Sequence, residues 1–137
     1  MTLTDAGPLI ALIDADEPDH QACLAALDQL RLPLVTTWPA FTEALHLLGR
    51  AAGIRGQRAL WRLVTTGRLA VADLAPESVE RSSQLMEAYA DRPMDLADAT
   101  LVALAEAEGH RRIFTLDDDF ALYRRHGRQA FDLLPER

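Results

Sequence analysis

Apolar and polar positions along this chain alternate in blocks, and the blocks change period. The run "TLTD" (2–5) is a short strand ending on Asp5, and "AGPLIALIDAD" (6–16) follows as a helix or helical turn with Pro8 near its start. A second helix, "PDHQACLAALDQL" (18–30), carries Ala22, Leu24, Ala25, Leu27 and Leu30 near helical spacing. The next strand is "LPLVTT" (32–37), and "WPAFTEALHLLGRA" (38–51) is a helix entered through Pro39 with Phe41, Leu45 and Leu48 on one face and Glu43 in its first turns. A separate helix, "RGQRALWRLVTTG" (55–67), sets Arg55, Arg58 and Arg62 on roughly one side. Beyond it come a strand "RLAVADL" (68–74), a helix "PESVERSSQLMEAYAD" (76–91) and a strongly helical "PMDLADATLVALAEAEG" (93–109) stopped by Gly109. The pattern closes with a strand "RRIFTL" (111–116), a turn and short helix "DDDFALYRRHG" (117–127) and an edge strand "QAFDLL" (129–134).

Alternation of this kind predicts an α/β fold with a mostly parallel sheet wrapped by helices. At 137 residues the chain is expected to form one domain, 1–137. No apolar run reaches the roughly 20 residues of a membrane span, and the first residues meet Asp5, Asp14 and Asp16 with no basic start, so no membrane association is expected. The lone Cys23 excludes an internal disulfide and a thiolate metal cluster, fits a reducing cytoplasm, and reads as a small buried hydrophobe.

Charge sharpens the picture through its distribution. The net charge is −7, yet residues 44–72 hold no acid and five arginines (Arg50, Arg55, Arg58, Arg62, Arg68), leaving −12 for the rest. All 14 basic residues are arginine. The absence of lysine excludes P-loop, Schiff-base, phosphoacceptor-receiver and haloacid-dehalogenase-type chemistry, each of which uses a lysine amine.

The acids carry the candidate chemistry. In an open α/β sheet, working groups gather at the carboxyl ends of strands. Asp5 and Asp117 fall at strand ends, while Glu43 and Asp98 fall at the starts of helices. Singly, each has an ordinary role: Asp5 caps a helix, Asp95 and Asp98 have capping-box spacing, Asp117, Asp118 and Asp119 form a solvated turn, and Glu43 is a surface residue. Together, crowded carboxylates require either a shared proton or a cation. An oxygen-only donor set selects magnesium or manganese, because the histidines at 20, 46, 110 and 126 are scattered and read as surface or structural.

The stretches "LTDAGPLIAL", "TEALHLL", "DLADATLVALAEAEG" and "IFTLDDDF", in that order, resemble the successive acidic motifs of the PIN domain, and especially of VapC-type toxins. The resemblance implies a PIN-like three-layer α/β/α sandwich of about five strands and a metal-dependent endoribonuclease, held in the cytoplasm, homodimeric, and inhibited by a small antitoxin protein. It carries Asp5, Glu43, Asp98 and Asp117 over as catalytic acids, with Asp5, Asp98, Asp117 and Asp119 at the metal and Asp95 and Thr115 as accessory groups. Where the family often has serine or threonine two residues after the first aspartate, this chain has Gly7. Magnesium or manganese so held activates water for in-line attack on phosphorus.

An acidic site repels an RNA backbone, so arginines are expected to draw it in. Arg55, Arg58, Arg62 and Arg68 are the leading candidates, against the alternative of a solubilising helix face. Trp38 and Trp61 read as packed residues, with base stacking as the alternative. Exposed Leu24 and Leu27 are candidates for a homodimer face. The resemblance leaves two other readings open, an RNA-processing nuclease without toxicity and an inactive PIN-like binding module.

Overall fold

The strand-forming runs are short and rich in Thr, Val, Ile, Leu and Phe, and each is followed by a residue that starts a helix or turn. In the computed structural model, which describes residues 1–136, they make β1 (Thr2–Thr4), β2 (Leu34–Thr37), β3 (Leu69–Ala72), β4 (Arg112–Phe114) and β5 (Asp132–Leu134). The sheet order is β3-β2-β1-β4-β5, and every pairing is parallel, so the expected mostly parallel sheet is wholly parallel. Order reverses beside β1, where the chain leaves first for β2 and later returns to β4, and a crevice at the carboxyl ends is expected there.

Period-two alternation sends side chains to two separate cores. Leu3, Val35 and Ile113 pack beneath α4 (Pro76–Ala88) and α5 (Leu96–Glu108). Leu34, Leu69 and Phe114 pack on the other face under α1 (Ala6–Ile13), α2 (His20–Ala26) and α3 (Trp38–Thr65), where Cys23 is buried as expected. Ala97 through Ala105 are all buried, which accounts for a helix apolar nearly all round. The resulting layers are the expected α/β/α sandwich. None of the described helices is long and apolar enough to cross a membrane.

Two elements differ from the pattern-based expectation. The helices expected at 38–51 and 55–67 are one segment, α3, bent at Gly53 (φ 63°, ψ −156°). Its two arms fold back on each other: Gln57 Nε2 donates to the Leu45 carbonyl at 3.1 Å, and Phe41 meets Trp61 edge-on at 4.8 Å. Gly56 permits this approach, since a Cβ there would stand 3.3 Å from the Leu48 carbonyl oxygen. The second difference is at 117–127, where the short helix is only a 3-10 turn, Asp118–Ala121. The aspartate that leads into it, Asp117, accepts from the Asp119 amide instead of extending a helix.

Candidate metal centre

Asp5 stands one residue past the end of β1. Its Oδ1 accepts from the Ala6 amide at 2.8 Å, starting α1, and its Oδ2 accepts from Thr115 Oγ1 at 2.9 Å. The neighbouring strand delivers Asp117: the Asp5 amide donates to the Phe114 carbonyl, which sets β1 and β4 level. Thr115 is fully buried and links the two acids, because its Oγ1 also accepts from the Asp117 amide at 3.0 Å. Asp98 comes from the first turn of α5, where the expected capping spacing yields its N-cap half, the Asp98 amide donating to Asp95 Oδ1 at 2.8 Å. The buried Tyr123 hydroxyl donates to Asp98 Oδ2 at 3.0 Å.

One carboxylate oxygen from each of Asp5, Asp98 and Asp117 lies within 4.8 Å of the others. Among the described residues, no basic side chain pairs with any of the three. Burial pushes the Asp5 carboxyl up to about 6, with Glu43 and Asp117 adding to it against the Ala6 and Thr115 hydrogen bonds. Burial likewise pushes Asp98 up to about 8, with Asp95 and Asp5 as the next causes. Partial burial, then Asp95 and Asp117, raise Glu43. Burial and the Asp98 carboxylate raise the Tyr123 phenol, keeping it a donor. Three converging hard oxygen donors, with no balancing cation among the described residues, fit a hard divalent metal ion.

The remaining expected residues sit around this trio. Glu43 and Asp95 are exposed at its rim, both lining a shallow cleft with Trp38 and His46. Asp119 does not join the trio; its amide bonds Asp117 Oδ1 at 2.9 Å and its carboxylate pairs with Arg92 Nη2 at 3.2 Å. Arg55, Arg58 and Arg62 are exposed on the second arm of α3. Arg68 precedes β3 and lines a cavity with Leu32 and Leu34, so it belongs to the amino end of the sheet, away from the acids. Trp38 and Trp61 both pack on Phe41 while staying 44% and 43% exposed, so packing and an open face coexist.

Two residues escaped the sequence reading. Arg92 is a single arginine just before "PMDLAD", with no neighbouring basic residue to mark it. Tyr123, six residues after Asp117, had been absorbed into the expected short helix.

A model of the PIN domain family matches residues 2–126. The chain belongs to the PIN domain family. This PIN domain is 29% identical to ribonuclease VapC26 of Mycobacterium tuberculosis over 134 residues, covering 97% of this chain and 99% of the relative. Its fold is similar to that of M. tuberculosis VapC20, a sarcin-ricin loop cleaving toxin (TM-score 0.82, 19% identity, 89% of this chain and 94% of that one). It is also similar to a structure of Rickettsia felis VapBC2 bound to a DNA fragment from their promoter (TM-score 0.70, 11% identity, 96% of each chain).

Proposed function

We propose that the protein is a magnesium- or manganese-dependent endoribonuclease, a single PIN domain acting as the toxin of a toxin–antitoxin pair in the cytoplasm. The observation that carries the reading is the convergence of Asp5, Asp98 and Asp117. The full-length likeness to a ribonuclease named VapC26 supports RNA as substrate.

Asp5, Asp98 and Asp117 would hold the ion, and Thr115 orients Asp5. A bound divalent cation supplies activation of water and neutralises charge on the phosphate. Glu43, exposed at the rim with its carboxyl raised, takes the proton from the attacking water. The water oxygen bonds to phosphorus as the bond from phosphorus to the 3′-oxygen breaks, and the 3′-oxygen takes a proton from solvent, so the phosphate stays on the downstream fragment. Arg55, Arg58 and Arg62 draw the strand towards the acids, and Arg92, paired with Asp119 two residues beyond Asp117, adds an exposed cation beside them.

Likeness to VapBC2 supports an antitoxin partner, whose basic residue would be drawn to the uncompensated acids. An apolar cavity of about 390 Å³ lined by Leu12, Ile13, Leu24, Leu27, Leu32 and Leu63 supports a homodimer face on α1 and α2.

The test is cleavage of total cellular RNA by purified protein with magnesium or manganese and with chelator, alongside Asp98→Asn. Metal-dependent cutting lost in the variant is the expected result, together with growth arrest when the gene is expressed without a partner. Cutting that survives chelation or Asp98→Asn would overturn the metal mechanism, and cutting without growth arrest would remove the toxin role.

A further inference from the structure

Tyr123 contacts the acid trio through its side chain without belonging to it. Its hydroxyl lies 3.0 Å from Asp98 Oδ2, and its side chain is among the largest fully buried ones. The ring has little room to turn. Phe120 meets it edge-on at 5.1 Å from one direction, and Tyr89, at the end of α4, meets it at 5.1 Å from another. Tyr89 is itself fixed, because its hydroxyl accepts from the Arg124 amide at 3.0 Å. The backbone just after Tyr123 is thus held to the residue that ends α4, and the hydroxyl is aimed at one oxygen of one acid.

We infer that Tyr123 is a positioning residue for the metal centre: its hydroxyl occupies one oxygen of Asp98 and holds the carboxylate so that the other faces Asp5 and Asp117. This rests on the metal-centre reading above. Asp98 has no second side-chain donor among the described hydrogen bonds, whereas Asp5 has two partners, the Ala6 amide and Thr115. Asp98 therefore depends on a single donor for its orientation. Outer partners of this kind orient metal ligands and are worth roughly 10- to 100-fold in metal affinity.

The test uses Tyr123→Phe, which keeps the ring and removes only the hydroxyl. Titration calorimetry with Mn²⁺ should show affinity weakened roughly 10- to 100-fold relative to the parent. Ser82→Ala removes a buried hydroxyl that bonds the Ser78 carbonyl within α4 and does not touch Asp98, and should leave that affinity unchanged. A Tyr123→Phe protein with a lowered Tm and parental Mn²⁺ affinity would show a purely structural role and overturn the proposal. A parent that binds no Mn²⁺ would instead overturn the metal-centre reading beneath it. If Tyr123→Phe does not fold, the parent labelled at tyrosine Cζ decides, since the chain has only two tyrosines. Added Mg²⁺ should move the Tyr123 resonance, and an unmoved resonance in a protein that binds Mg²⁺ would overturn the assignment.

Discussion

The acid end of the sheet and the bent helix α3 handle charge and strain in opposite ways. At the acid end, Asp5 and Asp98 are buried, each carboxylate is held by named hydrogen bonds, and no cation among the described residues balances the trio. On α3, Arg55, Arg58 and Arg62 are exposed, and the conformational demand falls on Gly53, whose backbone only glycine adopts readily. One region is rigid and electrostatically costly until a cation arrives; the other is locally strained but electrostatically relaxed. Binding chemistry is therefore expected to be concentrated in the first and to respond only weakly to changes in the second.

The most severe way to break the contrast is to remove a ligand charge. Asp5→Asn or Asp98→Asn should reduce RNA cleavage by more than about 100-fold, beyond the range for outer partners of a metal ligand. In Asp98→Asn the amide oxygen can still accept from Tyr123, so the fold is retained, and loss of like-charge repulsion should raise the melting temperature of the metal-free protein at pH 8. Gel assays and thermal melts on one preparation check both effects. A variant that cuts as well as the parent would remove Asp98 from the centre.

Changing pH sharpens the same contrast without mutation. The folded Asp5 and Asp98 carboxyls lie at about 6 and about 8, against an ordinary 3.8, so between those values the native state binds more protons than the unfolded chain. Their contribution to stability is complete below roughly pH 4 and lost as pH rises to roughly 8. Metal-free protein should accordingly melt lower as pH rises across that window. Added Mn²⁺ should reverse the trend, because the ion binds the ionised carboxylates and its stabilisation grows with pH. Melting curves with chelator and with Mn²⁺ measure this, and a metal-free stability that rises across the window would contradict the assigned burial.

Strain in α3 should show up as stability alone. Gly53→Ala places a side chain at φ 63°, ψ −156°, and is expected to cost about 1–3 kcal/mol by denaturant unfolding while leaving Mn²⁺ affinity at the parental value. The smallest expected effect is on RNA binding. Arg55→Gln and Arg58→Gln should each weaken binding by a few-fold regardless of RNA sequence and lower the salt dependence by about one phosphate contact. No change in that salt dependence would mean these arginines are a solubilising face.

The acids were legible in the sequence because their chemistry is local. Asp5 and Asp117 each follow a short apolar run, and Asp95 and Asp98 carry a capping spacing that the structure contains. Alternation of strand and helix patterns was likewise enough for a parallel α/β sandwich, since each element's period is set by which side it buries. The bend in α3 was less legible. The pattern separated helices at 38–51 and 55–67, but only packing of Gly56 against Leu48, with Phe41 against Trp61, folds the two arms together.

Sequence by itself determined the order of elements, the two-sided core and the acids available for a site, because periodicity and residue type act over a few positions. Tertiary structure alone decided which acids meet. Strand order 3-2-1-4-5 puts Asp5 beside Asp117 across 112 positions of chain, turns Asp119 towards Arg92, leaves Arg68 at the far end of the sheet and brings Tyr123 onto Asp98. These are long-range contacts set by the pairing of β1 with β4 and the seating of α5 on the sheet, and no local pattern specifies them.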